Sequence, residues 1–351
     1  MRKHRWFFYP LAVLAALILL LALFLLFLTV TEYKPEPVEP AQTGAVQELP
    51  ALDGAQLRVL SFNVGFAGLG EDADFIMDGG KGSGRKDLET VNRNMAGISA
   101  ILEQADADVY MLQEVDQKSS RTKDVNQLEG FSQVLPGYQW YYAPNFVCPF
   151  VPYPVQAPLG RIDSGVATYS RYQVTEATRV SLPVPFTWPV RTANLKRCME
   201  VNRMPLADSD GELILINFHL EAYDDGEGKK AQTEQLIRLM EEEYQKGNYV
   251  IAGGDFNQTF PGVDIPMKPT TNWAPSTMPD LPEGWSYVFD TETPSCRLLN
   301  QPYQPDDELT QHYILDGFIV SPNLTVNHME TLDEGFRFSD HNPILMDITL
   351  N

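Results

Sequence analysis

"NYVIAGGDFNQTFPG", residues 248–262, is the stretch on which the reading of this chain turns. An apolar run, Tyr249 to Ala252, has the look of a buried strand, and it ends in two glycines followed by Asp255 and Asn257. A carboxylate and an amide two residues apart on a strand point the same way. Polar groups at such a place either shape a turn or do chemistry. The choice depends on whether other strands end alike.

Several do. "QLRVLSFNVGF" (56–66) alternates, with Leu57, Val59, Ser61 and Asn63 on one face. "ADVYMLQEV" (107–115) carries Glu114 at its end and follows a helical pattern of Val91, Met95, Ile98 and Leu102. "ELILINFHL" (212–220) aligns Leu213, Leu215, Asn217 and His219. "SGVATYSRY" (164–172), "YILDGFIVS" (313–321) and "ILMDITL" (344–350) read as further strands, the last preceded by Asp340 and His341 in "FSDHNPI". "KKAQTEQLIRLMEEEYQKG" (229–247) reads as an amphipathic helix stopped by Gly247. The helices are too few for strict βαβ alternation, so the expected fold is a mixed α/β layered domain with strands buried on both faces. Two long connections, 130–163 and 260–312, are rich in proline and aromatics. "YYAPNFVCPFVPYPVQAPLG" has too many prolines for a central strand or helix. It reads as a loop packed on the core or a wall of a substrate cleft, ahead of a surface touching a membrane.

The 351 residues, 44% hydrophobic and 21% charged, suffice for a large core in one or two domains. The net charge is −21, and Arg2, Lys3 and Arg5 precede the first apolar run, so the body is more acidic still. Such a body repels phosphate backbones at long range and argues against a nonspecific nucleic-acid binder. Cys148, Cys198 and Cys296 lie far apart, with no zinc spacing, and read as buried free thiols ahead of one disulfide.

From Trp6 to Val30 no residue is charged. About 25 residues cross a hydrocarbon core of roughly 30 Å with some tilt. Positive charge before the run and the mostly acidic "TEYKPEPVEP" after it place the amino terminus in the cytoplasm and the body outside. A cleaved signal peptide is the rival reading, but its core would be shorter, and "FLTVTEYK" makes a poor cut site. The expected organisation is a basic tail (1–5), a transmembrane signal anchor (6–30), a linker (31–55) and one domain (56–351).

Each strand-end residue has a structural explanation of its own. Asn63, Asp255 and Asn257 could shape turns, Glu114 could be a solvated end charge, and His219 a satisfied core histidine. Asp340 and His341 could be a cap or an ion pair. Together they suit the hydrolysis of a phosphate ester. Mg²⁺ takes oxygen ligands, often one or two carboxylates, which Glu114 helped by Asn63 would provide. Asp255 suits a water nucleophile, and Asn257, His219 and His341 suit the phosphate oxygens.

The motifs "LSFNVG", "LQEVD", "DSGVATYSRY", "LINFHLEA", "IAGGDFNQ", "LDGFIVS" and "FSDHNPI" resemble, in this order, those of the endonuclease/exonuclease/phosphatase superfamily. That superfamily includes deoxyribonuclease I, abasic-site endonucleases, inositol polyphosphate 5-phosphatases and neutral sphingomyelinases. The resemblance covers about residues 57–351 and implies a four-layer sandwich of two packed mixed β-sheets flanked by helices. It implies a metal site of Glu114 with Asn63 and Asp340, taking Mg²⁺ or else Mn²⁺ or Ca²⁺. It implies that Asp255 orients the attacking water, that Asn257 and His219 contact the phosphate, and that His341 does so with Asp316 as its carboxylate partner. Asp163 is a weaker candidate as partner of His219. Arg191, Lys196 and Arg197 of "VRTANLKRC" are candidates for a second phosphate or a head group, or equally a solvated loop. Abasic-site nucleases carry a carboxylate two residues after the first Asn, where this chain has Gly65, which puts that activity in doubt.

The resulting expectation is a membrane-anchored, extracytoplasmic, metal-dependent phosphoesterase acting by in-line water attack on a small phosphoester or lipid head group. A nuclease of the same fold and a catalytically silent surface binding module are the alternatives. Partners are the phosphoester and the bilayer; no protein partner is inferred.

Overall fold

The computed structural model describes residues 5–45, 48–54, 56–207, 209–224, 226–269, 271, 273–305, 307 and 310–351. Arg2 and Lys3 of the expected basic tail lie outside the described residues, as does Ala55. In chain order the first ten strands are β1 (Val38–Pro40), β2 (Gln42–Thr43), β3 (Gln56–Asn63), β4 (Val109–Asp116), β5 (Gln139–Val151), β6 (Gly160–Ser170), β7 (Glu176–Ser181), β8 (Cys198–Pro205), β9 (Glu212–His219) and β10 (Tyr249–Asp255). The described α-helices are α1 (Arg5–Val30), α2 (Leu88–Ala105), α3 (Gln127–Val134) and α4 (Glu227–Gln245).

Two mixed seven-stranded sheets result. The first runs Leu324–Thr331, Ile344–Leu350, β3, β4, β6, β5, β2; the second runs β1, β7, β8, β9, β10, Asp316–Val320, Ser286–Val288. The β3–β4 and β9–β10 pairs are parallel and sit near the sheet centres. Alternation along the strands sorts the side chains into layers. Leu57, Val59, Val109 and Met111 meet Leu213, Leu215, Ile251 and Phe318 between the sheets. Leu60, Phe62, Tyr110 and Leu112 turn outward onto α2 and α3. Ile214, Ile216, Val250 and Ala252 turn outward onto Leu236 and Met240 of α4. The expected four-layer sandwich is therefore the observed one.

The inter-sheet seam is not wholly apolar. Gln113 Nε2 donates to Asn217 Oδ1 at 2.9 Å and to Ser61 Oγ at 3.3 Å. Thr168 Oγ1 donates to the carboxyl of the fully buried Glu200 at 3.0 Å. Burial pushes the Glu200 carboxyl well above the usual carboxylate range, against the pull of its hydrogen bonds. A carboxyl raised in this way favours the fold below its unfolded pKa, and that contribution is lost as pH rises toward the folded value. Glu200→Gln is therefore expected to be more stable than the parent at pH 8. The gap in thermal melts should grow by up to about 1.4 kcal/mol per pH unit and close below about pH 4. A gap independent of pH would show that Glu200 is not held neutral.

Two sequence expectations change. The segment 139–151, read as a proline-rich loop, is β5, with Pro144 and Pro149 inside it. Its neighbour on one side is the two-residue β2, which pairs only with Tyr141 and Tyr142. The prolines thus fall where that edge is open, and the β5–β6 register shifts beside both of them. Residues 31–55, read as a linker, contribute β1 and β2, which add to one edge of each sheet. The connection 260–312 stays largely irregular, with short strands only. The three cysteines are buried and free.

Within α1, residues Tyr9–Val30 are long and apolar enough to cross a membrane, and no other helix among the described residues is. The end of α1 is tied to the body. Trp188 Nε1 donates to Thr29 Oγ1 at 3.0 Å, and the buried Glu32 lies 3.4 Å from both Arg191 and Lys196.

Candidate active site

Sheet register assembles the site. On the second sheet His219, Asp255 and Asp316 stand opposite one another across three adjacent strands. His219 and Asp255 continue the inward-facing sets Leu213–Leu215 and Ile251–Gly253, so both point into the seam at its end. Asn63 does the same from β3. Glu114 is different. Strict alternation would send it outward with Tyr110 and Leu112. The β4–β6 register shifts between Leu112 and Val115, and Glu114 adopts φ +57°, a left-handed conformation uncommon outside glycine. This bulge gives Val115 the outward position and turns Glu114 into the site. Asn257 also has positive φ, +50°. Strained backbone of this kind persists where the surrounding structure holds it, and such positions cluster at functional sites.

The glycines serve close approach. A Cβ on Gly254, φ +151°, would lie 2.0 Å from the Phe218 carbonyl oxygen of β9. A Cβ on Gly65, φ +51°, would lie 2.8 Å from Asp340 Oδ1. The space beside Gly65 is thus taken by the side chains of Asp340 and Ser339.

The hydrogen bonds converge on Asp255. Asn63 Nδ2 donates to Asp255 Oδ2 at 3.0 Å and reaches Glu114 Oε1 at 3.4 Å. The Asn257 backbone amide donates to Asp255 Oδ1 at 2.8 Å, and Asn257 Nδ2 donates to the Leu220 carbonyl. His219 Nε2 is 3.3 Å from Asp255 Oδ2, while among the described residues its Nδ1 has no hydrogen-bond partner and stands 3.9 Å from Glu114. His341 Nδ1 bonds Asp316 Oδ2 at 2.8 Å, and Ser295 Oγ donates to the same oxygen at 2.7 Å. His341 Nε2 faces Asp255 Oδ2 at 3.7 Å.

The two histidines are driven apart in charge. Burial works against the His341 imidazolium, but Asp316, followed by Cys296 and Asp255, outweighs it and holds the ring well above the usual histidine range. Burial, then Arg197 and His341, push His219 well below that range, so it is neutral. Three carboxyls rise. Asp255 is pushed up to about 6 by burial and then by Asp316, against His341. Asp340 is pushed up to about 7 by burial and by Glu114, again against His341. Burial and Asp255 raise Glu114, with Arg121 and His341 opposing. Crowded buried carboxyls with raised pKa values are a mark of sites built for chemistry or for a cation.

Asp255, Asp316 and His341 offer ligand atoms within 4.8 Å of one another, a group that could hold a metal ion. His341 Nδ1 is taken up by Asp316, and the charge that Asp316 favours on the ring disfavours it as a ligand beside the carboxylates. Oxygen donors remain, and they suit a hard divalent cation.

Glu114, His219, Asp255, Asn257, Asp340 and His341 all line one cavity of about 690 Å³. Arg197 reaches it too, but its Nε pairs with Glu221 at 3.1 Å and its Nη1 donates to the His219 carbonyl. Arg191 and Lys196 do not line the cavity and turn instead to Glu32. Asp163 does not bond His219; its backbone N–H donates to Ser119 Oγ at 2.9 Å. Sequence reasoning missed Arg121, Arg297 and Tyr223 on the cavity wall, since each comes from a connection with no periodic signal.

The family model for the endonuclease/exonuclease/phosphatase family matches residues 60–341. No curated protein gives a significant match. Among solved structures, the endonuclease/exonuclease/phosphatase protein of Beutenbergia cavernae aligns with a TM-score of 0.60 at 18% identity, over 85% of this chain and 72% of that one. A Bacteroides vulgatus protein of the same description aligns at 0.54 and 15% identity, over 84% and 99%. D. rerio TDP2 complexed with a single-strand DNA product aligns at 0.51 and 16%, over 84% and 99%. These likenesses speak for the fold alone. With the match along residues 60–341 and the same two-sheet sandwich, the chain belongs to the endonuclease/exonuclease/phosphatase family.

Proposed function

We propose that the chain is a divalent-metal-dependent phosphoesterase, held to a bilayer by α1, with its catalytic domain on the extracytoplasmic side. The observation that carries this reading is the cluster at the cavity floor: His219 at 3.3 Å and His341 at 3.7 Å flank Asp255 beside Glu114 and Asp340. The basic residues before α1 and the acidic ones after it support the orientation.

Glu114, Asn63 and Asp340 would hold the cation, and Mg²⁺ fits their oxygen donors. When bound, such an ion offsets negative charge on the phosphate and on the leaving oxygen. Asp255 accepts a proton from the attacking water; its carboxylate is aimed by the Asn257 amide and Asn63. The His341 imidazolium, fixed by Asp316, donates to a non-bridging phosphate oxygen, with Asn257 and neutral His219 as further donors. The water oxygen joins phosphorus opposite the ester oxygen that leaves. The substrate is a small phosphoester or a lipid head group.

The full chain in detergent is expected to hydrolyse bis-p-nitrophenyl phosphate or p-nitrophenyl phosphate with Mg²⁺ or Mn²⁺, and to stop on chelation. A folded protein inert to both under every divalent cation would overturn the reading. The DNA product belongs to the D. rerio protein, and the net charge of −21 opposes a nuclease here. Plasmid or RNA degradation at low salt, abolished by Asp255→Ala, would instead favour the nuclease.

A further inference from the structure

The cavity is much larger than a phosphate group, and above its polar floor the walls are apolar. Phe66, Phe75, Phe146, Val151 and Leu159 come from the body. Phe24, Leu25 and Leu28 come from α1. The apolar span of α1 is largely exposed, yet Leu28 is only 3% exposed, and Phe24 sets its ring edge-on against Phe150 at 6.1 Å. At a rise of about 1.5 Å per residue, Phe24 lies roughly 9 Å below the end of the helix. If α1 spans a bilayer, one wall of the cavity is thus at the depth where hydrocarbon begins.

The rim has the same character. Outside α1, six of the eleven exposed large apolar side chains among the described residues fall in two segments. Phe150 near the end of β5, and Tyr153 and Val155 in the connection to β6, the last 78% exposed, form the first. Val184, Trp188 and Val190 stand in the loop before β8. Trp188 is bonded to Thr29 at the helix end, so this rim and the helix end form one surface. Clustered exposed apolar residues beside a spanning helix mark a membrane-contacting face, with aromatics at the interface.

We propose that the site takes an amphiphilic phosphoester from the lipid layer, with its phosphate on the Asp255–His341 floor and its hydrocarbon chain along the α1 wall. The inference rests on the phosphoesterase reading above and names the substrate class for that site. The reaction is the same hydrolysis. The water oxygen bonds to phosphorus, and one P–O ester bond breaks. One water proton stays on the new phosphate hydroxyl, and the other goes to the departing oxygen as an alcohol. A soluble substrate gains nothing from an α1 wall, whereas each methylene buried there adds to binding.

The test uses the full chain in detergent and p-nitrophenyl ethyl and p-nitrophenyl dodecyl phosphate as paired probes. The dodecyl ester is expected to exceed the ethyl ester in kcat/KM by at least about tenfold. Val151→Asp, on the cavity wall, should lower that ratio by about tenfold, read on the same preparation. In phosphatidylcholine vesicles carrying p-nitrophenyl hexadecyl phosphate, Val155→Asp on the rim should lower turnover by at least about threefold. A ratio near one, or a ratio untouched by Val151→Asp, overturns the inference while leaving the phosphoesterase intact. Failure to cleave either probe or bis-p-nitrophenyl phosphate overturns the phosphoesterase reading itself. Circular dichroism checks that each variant is folded.

Discussion

Replacing Asp255 by Asn is expected to lower kcat/KM toward phosphoesters by about 10³-fold and to leave the fold intact. A positioned general base contributes about 10²–10⁴-fold, and Asn keeps the shape while losing the base. The retained Oδ1 can still accept the Asn257 amide, which holds the side chain at 2.8 Å. Little packing is lost, because Asp255 ends β10 with its register partners His219 and Asp316 in place. The loss should fall mainly on kcat, since Asp255 acts on the water and not on the bound phosphate. Asp163→Asn is the matched control. Asp163 lies away from the cavity floor, and that variant should stay within about twofold of the parent. Steady-state kinetics on bis-p-nitrophenyl phosphate read both. An Asp255→Asn protein with a tenth or more of the parent rate would remove Asp255 from the role of base.

Added Mg²⁺ is expected to raise the melting temperature, and to do so more at pH 8 than at pH 5.5. Asp255 is pushed up to about 6 and Asp340 to about 7, above their unfolded values. Raised carboxyls favour the fold below about pH 4, and that contribution is lost as pH rises through 6 and 7. The metal-free protein therefore loses stability across that window. At pH 5.5 protons compete with the ion for the same oxygens; at pH 8 they do not. At an ion concentration of about 100 times Kd the gain is about 2.7 kcal/mol, or roughly 5 °C for a domain of this size. Glu114→Gln should raise the metal-free melting temperature at pH 8 and cut the Mg²⁺ shift to about a third or less. Equal shifts at both pH values, or a shift untouched by Glu114→Gln, would place the ion elsewhere. The readout needs no turnover, so it tests the ligands separately from the chemistry.

Much of the fold was legible because burial on both faces writes long apolar runs. The runs at 57–63, 213–219 and 249–255 are strands, and alternation correctly aligned Asn63 and His219 with inward-facing neighbours. The helix 229–247 and its stop at Gly247 were legible for the same local reason, and Gly247 has φ +92°. β5 was misread because proline was weighed as though each strand were central. Whether a strand has an open edge is set by its neighbours, and β2 lies about 100 residues away in sequence. β1 and β2 were missed because two- and three-residue strands leave no period to detect.

The site divides in the same way. The sequence alone determined the chemistry available: carboxylates, amides and histidines at strand ends, an apolar first segment and an acidic body. Local pattern carries that information, since it depends only on residue type and on the period of the strand. The tertiary structure alone decided how those groups act. The β4 bulge turned Glu114 inward against its own alternation. The Asp316 pairing made His341 a cation, while burial near Arg197 kept His219 neutral. Arg191 and Lys196 went to Glu32 and away from the cavity. The end of α1 became a wall of that cavity. Each of these outcomes depends on distances and desolvation between segments far apart in the chain, and such quantities exist only once the layers have packed.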